Sequence, residues 1–385
     1  MLRSIASNFL TFLLVALVLV AALIAWGQGK FVGQGPLAKA ICLKVPRGGS
    51  IAGVAEELQA RGAISNAMIF RLGAEYAGRT SHVKAGSFLI PEWASMQDIV
   101  AEVTGNGQST CGVEVVYRIS VSAQEVRVRE LNAETGEFAV TADFDPASEN
   151  EVPPSYTAAL NDVATRFRIV VAEGVTSWQV VEALKVSDLL DGEVGEVPEE
   201  GSLAPDGYEV VPGADRRTIL DRMRARQEER LEGAWLAKSE DAPVKTPAEA
   251  LILASIIEKE TGRAEERPLV ASVFANRLRK GIRLQTDPTV IYGITEGRGV
   301  LGRGLRQSEL RRDTPWNTYL FAGLPPTPIA NPGKAAIEAA LSPAESDYLF
   351  FVADGTGGHA FAETLREHNA NVARWRKFQA EQADQ

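Results

Sequence analysis

The 385-residue chain has few of the side chains that build metal and redox centres: two cysteines, three histidines and four methionines. Neither Cys42 nor Cys111 has a CxxC partner or a neighbouring histidine. That excludes the common zinc and thiol-redox spacings, and no metal or cofactor is expected. Basic character is also scarce. Forty Lys and Arg are outnumbered by fifty Asp and Glu, for a formal net charge of −10. No basic cluster stands out, which argues against nucleic acid as a partner, because phosphate binding rests on clustered cations. The glycines of 297–304 lack the Lys-Ser/Thr ending of a phosphate cradle and read as a surface loop or a mobile lid.

Long apolar runs are confined to one place. Phe9 to Trp26 is broken only by Thr11, and a helix of about 20 such residues crosses hydrocarbon. The run is too long for the core of a cleaved signal, and no small-x-small site follows before Trp26, so it reads as an uncleaved anchor. Arg3 and the terminal amine balance Lys30, Lys39 and Lys44, so charge does not orient the span. A large following domain translocates largely regardless of charge, which places 1–8 in the cytoplasm, 9–26 in the membrane and the chain beyond Gly29 outside.

What remains is too long for one compact core and suggests two or three domains. Gly27 to Ala38 reads as a linker, giving 27–40, and folding is expected from Ile41. A divergent repeat then follows. One copy, 41–108, carries Leu43–Val45, a helix with Val54 and Leu58, then Ser87-Phe88 and a helix through Met96, Ile99 and Val103. The other, 168–240, carries Ile169–Val171, a helix with Val180, Val181 and Leu184, then Gly207-Tyr208 and a helix through Ile219 and Met223. Between them, 109–167 has period-two patches at Val113–Ile119, Glu125–Arg129 and Phe138–Val140, the pattern of half-buried strands. Asp143 to Ser155 and the acidic stretch Asp191 to Glu200 read as exposed loops. Glu240 to Val244 reads as a hinge before a last domain, 246–380. Both cysteines sit where strands should begin. One disulfide, or two buried thiols, fits that placement.

The most telling segment is Ala248 to Ile257, apolar on nearly every face and ending at Glu258. Thr246 can cap this helix, with Pro247 at its first position and Glu249 closing a capping box. At about 3.6 residues per turn, Glu258 shares a stripe with Leu251, Ala254 and Ser255. Glu260 points to the other side, which makes Glu258 the inward carboxylate. Burial disfavours the charged form of a carboxyl and would keep Glu258 protonated, as a general acid must be. An ion pair with Arg263 or Arg267 is the alternative.

Residues Ile257–Thr261, Val273–Leu278 and Leu284–Gly293 closely resemble the signature of the endolytic murein transglycosylases, the YceG-like family. The likeness continues through Asn317-Thr318-Tyr319, Gly323–Pro326, Ile329–Gly333, Tyr348–Val352, Gly357–His359, Phe361 and His368-Asn369. It implies a lyase of the inner membrane and periplasm that cuts peptidoglycan glycan strands internally, with Glu258 as its catalytic residue. It also suggests partnership with peptidoglycan synthases, the penicillin-binding proteins. The first copy of the repeat is similar to the family's LysM-like module, either a glycan contact or a spacer. The fold class expected is α+β: one transmembrane helix, LysM-like β-α modules with an inserted small sheet, and a helix-rich α/β catalytic domain.

Most glycoside hydrolases need two carboxylates; the sequence offers one convincing candidate. One is chemically sufficient when the nucleophile is the substrate's own C6 hydroxyl. Glu258 would protonate the glycosidic oxygen as the bond breaks, then take a proton from that hydroxyl as it closes onto C1, leaving a 1,6-anhydromuramyl end. Gln285, Thr289, Asn317 and Tyr319 are candidate sugar contacts by their amides and hydroxyls, and Asn276 is a sugar contact or a loop tether. Asp287, before Pro288, suits a helix cap. His359 and His368 fit ordinary polar contacts, with no Ser or Cys nucleophile motif beside them. A hydrolase using water and Asp287, and a non-catalytic glycan-binding scaffold, are the competing readings.

Overall fold

The computed structural model describes residues 2–105, 107–147 and 152–383, with no side chain described for 2–8 or 383. Met1 of the expected tail and 148–151 of the expected acidic loop lie outside the described residues. The chain forms two compact units: Met1–Val116, Val126–Phe144 and Asn150–Phe167 in the first, Tyr117–Glu125, Asp145–Glu149 and Arg168–Gln385 in the second.

The first unit begins with helix α1 (Leu2–Val32). Its stretch Phe9–Val32 is long and apolar enough to cross a membrane, and none of it is buried within the protein. The linker expected from Gly27 therefore starts later. Gly27 and Gly29 each weaken a helix by only about 1 kcal/mol, less than it takes to break one, and the helix runs on until Gly33. Phe31 packs on the core of the unit and Leu37 is buried in it, so this segment is held and not free.

Strand β1 (Ile41–Val45), helices α2 (Ile51–Ala60) and α3 (Ala67–Tyr76), strand β2 (Gly86–Ile90) and helix α4 (Met96–Val103) follow. Helix α3 was not anticipated. Its signal was Asn66, whose side chain accepts from the N–H groups of Met68 and Ile69, with Phe70 and Ala74 one turn apart facing the core. Ser50 caps α2, and Ser95 with Asp98 forms a capping box on α4. β1 and β2 pair antiparallel with Leu43 opposite Phe88, and both side chains enter a core with Leu58, Phe70 and Ile99.

Strands β3 (Val113–Ile119), β4 (Gln124–Leu131) and β5 (Phe138–Phe144) form where period-two alternation predicts them. Helix α5 (Pro154–Asn161), strand β6 (Arg166–Val171), helix α6 (Ser177–Val186), strands β7 (Leu190–Asp191), β8 (Gly207–Val210) and β9 (Ala214–Asp215), and helix α7 (Arg216–Leu236) come next. One sheet has the strand order β5-β4-β3-β6-β8. Within it the Glu114 carboxylate is buried, 2.5 Å from Arg129 and 3.8 Å from Arg166, the pairing that a buried charge requires.

Cys42 and Cys111 are joined, with Cα atoms 5.5 Å apart and a sequence separation of 69. Closing a loop of that length restricts the unfolded chain by about 4 kcal/mol. Replacing both cysteines with serine is expected to lower stability by roughly that amount, read as the shift in denaturant midpoint. An unchanged midpoint with and without reductant would show that the crosslink contributes nothing.

The second unit holds helices α8 (Pro247–Glu260), α9 (Arg267–Arg279), α10 (Asp287–Thr295) and α11 (Lys334–Leu341), the hairpin β10 (Phe350–Ala353) and β11 (His359–Ala362), and helix α12 (Leu365–Ala383). Helix α8 packs against α7, α9, α10 and α11. Leu253, Ala254, Ile256 and Ile257 meet Val270, Phe274, Ile337 and Leu341 in the core. The expected hinge is part of that core: Val244 is buried and Ser239 N–H donates to the carbonyl of Leu341 at 3.1 Å. The acidic stretch is mostly exposed, with Val194 and Pro198 buried. Glu200 turns inward to accept from Ser177 N–H at 2.8 Å and Tyr292 Oη at 3.2 Å, and burial raises its pKa. Gly297, at the start of the glycine-rich loop, is pinned by Thr176 Oγ1 at 2.6 Å. The architecture is mixed α+β, with one N-terminal apolar helix and small sheets.

Candidate active site

Helix α8 starts as its sequence predicts. Thr246 Oγ1 accepts from Glu249 N–H at 3.1 Å, though Glu249 reaches back to Lys245 N–H at 2.6 Å, one residue before the cap. Residues 252–257 are all buried. This apolar packing leaves Glu258 little water, and its side chain is 5% exposed. Oε2 accepts the backbone N–H of Gly333 at 2.9 Å, and Oε1 lies 3.6 Å from Arg267 Nη2. Arg267 also reaches Glu173 Oε2 at 3.3 Å.

These neighbours pull the acidity of Glu258 in opposite directions. Burial raises the pKa most and the charge of Glu173 adds to it, whereas the Gly333 N–H and Arg267 lower it; the net shift is upward. The inward carboxyl and the Arg267 ion pair, alternatives in the sequence, therefore coexist. Next to it, burial lowers the pKa of Lys259, whose Nζ donates to the carbonyl of Gly174 at 3.2 Å.

The Gly333 N–H is placed by Asn331, which is fully buried. Its Nδ2 donates to the Val175 carbonyl at 2.9 Å, and its Oδ1 accepts from Leu203 N–H at 2.9 Å. Its backbone pairs with 174–175: Asn331 N–H to the Val175 carbonyl at 2.9 Å and Gly174 N–H to the Asn331 carbonyl at 3.0 Å. A side chain at position 333 would collide with the Glu173 carboxylate, so glycine lets that carboxylate and the Gly333 N–H share the space beside Glu258. Glu173, Asn331 and Gly333 as neighbours of Glu258 escaped the sequence reading; the only local sign was the Asn-Pro-Gly turn.

Glu260 is a correction. It does not face solvent: burial raises its pKa most, opposed by Thr286, whose hydroxyl donates to it. The periodicity was sound, and 258 and 260 do lie on different sides. However, α8 is covered by other helices on both. Gln, neutral at every pH, isolates the cost. With its folded pKa raised, the stabilisation from Glu260 is complete below its unfolded value near 4.5 and is lost as pH rises through the folded value. Glu260→Gln is therefore expected to melt higher than wild type at neutral pH and alike below pH 4.5. Equal melting temperatures at both would rule this out.

The expected sugar contacts are dispersed. Asn276 Nδ2 donates to the carbonyls of Ser346 at 2.7 Å and Tyr348 at 3.0 Å, a loop tether. Asn317 Nδ2 donates to the carbonyls of Leu310 and Arg312 at 3.2 and 2.8 Å. Thr289 Oγ1 donates to the Thr286 carbonyl at 2.7 Å and lies fully buried. Gln285 is exposed, with a left-handed backbone at φ 52°. Tyr319 Oη donates to Asp287 Oδ1 at 2.7 Å, on the Glu260 side. Asp287 is the first helical residue of α10; Thr286 occupies the cap position. His359 Nδ1 lies 2.7 Å from Glu266 Oε2, and His368 stacks on Phe350 at 5.1 Å, both in packing roles. No three His, Cys, Asp or Glu side chains converge as a metal-binding group among the described residues. A cleft of about 860 Å3 lies at the opposite end of α8, lined in part by Asp241, Lys245, Glu249 and Arg279, and Glu258 does not line it.

The YceG-like family profile matches residues 43–374, and the chain belongs to this family. Similar proteins include two named endolytic murein transglycosylase from Streptococcus pneumoniae strains D39 and R6, each 26% identical over 343 residues. The alignment covers 87% of this chain but only 58% of theirs. A Bacillus subtilis protein of the same name is 29% identical over 332 residues, 85% of this chain and 82% of its own. A crystal structure of a yceG-like protein from Listeria monocytogenes is 25% identical, with a TM-score of 0.46, over 86% of this chain and 98% of that one.

Proposed function

We propose that the protein is a membrane-anchored endolytic lytic transglycosylase, cleaving MurNAc-GlcNAc bonds within nascent glycan strands and leaving 1,6-anhydroMurNAc ends. The observation that carries this reading is Glu258: a carboxyl 5% exposed and raised in pKa, at the end of a rigid helix in a chain of this family. The names of the relatives support the same substrate.

Protonated Glu258 gives its proton to the glycosidic oxygen as the bond to C1 breaks and positive charge builds on the sugar. The resulting carboxylate takes the proton of the C6 hydroxyl while that oxygen bonds to C1. The Gly333 N–H and Arg267 stabilise the carboxylate between the two steps, and the proton taken from the C6 hydroxyl restores the acid form, which burial favours. No water enters, so the product end is one water lighter than a hydrolase would leave.

Helix α1 as an uncleaved span, with the N-terminus cytoplasmic and the remainder periplasmic, completes the proposal. Its unbroken run to Val32, with Phe31 packed into the fold, supports an anchor over a removed signal. The β1-α2-α3-β2 order with antiparallel strands supports a LysM-like glycan contact in 41–108. Penicillin-binding synthases are the proposed protein partners. The test is incubation of purified glycan strands with the protein and mass spectrometry of the ends. Anhydro ends are expected from wild type and from Glu260→Gln, and fewer by about 10²-fold or more from Glu258→Gln. Reducing ends, or unchanged cleavage by Glu258→Gln, would overturn the mechanism.

A further inference from the structure

Helix α3 carries an apolar stripe that none of the described residues covers. Met68, Leu72 and Tyr76, at i, i+4 and i+8, are 69%, 59% and 91% exposed. Residues one turn apart share a helix face, so the three form one continuous strip beside the inward face of Phe70 and Ala74. Isolated exposed apolar residues are common, but an aligned set is not the usual solvent face of a helix.

The neighbour of this stripe is the apolar span itself. Helix α3 packs against α1, and the ring of Phe31 lies against Gly73, where a Cβ would collide with it. Ile69, on the edge of the stripe, is half-buried with Phe31 at the same core. Phe31 belongs to the last turn of the stretch Phe9–Val32. A 24-residue span rises roughly 36 Å at about 1.5 Å per residue, slightly more than a hydrocarbon core of about 30 Å. Its last turn therefore sits at the boundary between acyl chains and headgroups, where Trp26, 56% exposed, is also at home. Contact with Phe31 brings α3 to that level. Lys30, Arg71 and Arg79 are all exposed around it, against Glu75 on the helix itself, a balance suited to an anionic lipid surface.

We propose that α3 is a second membrane contact: Met68, Leu72 and Tyr76 lie in the headgroup–acyl boundary of the leaflet from which α1 emerges. The inference rests on the proposal that α1 spans the membrane. Two contacts at one level restrict the tilt of the first unit on the bilayer, which a single helix does not.

The test uses the full chain in vesicles of phosphatidylethanolamine and phosphatidylglycerol, with the native disulfide intact. Nitroxide labels are placed by Val18→Cys, Leu72→Cys and Glu57→Cys, and their collisions with oxygen and with a water-soluble nickel complex are measured. The label at 18 reports the anchor and the label at 57, on exposed α2, reports water. A label at 72 whose oxygen-to-nickel ratio is several-fold above that at 57, and below that at 18, supports the proposal. A ratio at 72 equal to that at 57 while 18 stays lipid-protected overturns the α3 contact and leaves the anchor standing. A label at 18 open to nickel overturns both. Shielding of 72 from both reagents, as a protein partner or a second copy would give, also overturns the lipid contact. Met68→Asp with Leu72→Asp, at exposed positions that spare the core, is expected to abolish the lipid signature of a label at Tyr76→Cys.

Discussion

Glu258→Gln is expected to reduce glycan cleavage by about 10²- to 10⁴-fold, the range over which general acid–base groups act. The upper end is the expected one here, because the proposed mechanism uses the same carboxyl in both proton transfers. The amide keeps the shape of the side chain and its Oε1 can still accept from Gly333 N–H, so strand binding should change little. What is lost is the proton.

The same variant makes a second, opposite prediction. With the folded pKa of Glu258 raised, ionisation costs the native state stability as pH climbs through that value, whereas below the unfolded value near 4.5 the cost is absent. Glutamine removes it, and Arg267 retains Glu173 as a partner at 3.3 Å. The variant should melt at or above the wild-type temperature at neutral pH while losing cleavage. Wild-type activity should fall as pH rises through the elevated pKa of Glu258, because in the proposed mechanism the acid form starts the reaction. A pH profile that instead falls only as the medium becomes acidic would assign the carboxylate, not the acid, to the first step.

Asn331→Ala is the other large effect. Alanine leaves the buried Leu203 N–H without its acceptor and removes the Nδ2 bond to Val175. An unsatisfied buried donor costs about 1–3 kcal/mol and each lost bond about 1 kcal/mol, so a loss of roughly 3 kcal/mol is expected in denaturant unfolding. Cleavage should fall as well, since Gly333, two residues on, loses the anchor that points its N–H at Glu258. Asn331→Asp is not a rescue: it keeps an acceptor for Leu203 but loses both donors and buries a charge. Wild-type unfolding and cleavage in Asn331→Ala would show that this amide positions nothing.

What local sequence could disclose was what depends on neighbours a few positions apart. The caps at Ser50, Ser95, Thr176 and Thr246 each act within three residues. The strands of the insert follow a period of two, and Glu258 stands out because ten residues before it are apolar or small with one exception, Glu249. Helix α3 was passed over because its outward face, Met68, Leu72 and Tyr76, is as apolar as its inward one and blurs the period. Glu260 was misplaced because periodicity says which side a residue is on, not whether that side is covered.

The amino-acid order alone determined the apolar span, the placement of Glu258 at the end of a greasy helix, and the family resemblance, since these are written in composition and short-range spacing. Only the tertiary structure decided that Glu258 shares Arg267 with Glu173, 85 positions upstream, and takes its hydrogen bond from Gly333, 75 positions downstream. It also decided which backbone carbonyls the asparagines at 276 and 317 bond. Hydrogen bonding and burial depend on which segments meet in space. Those meetings are set by core packing across the whole unit, and no local pattern encodes them.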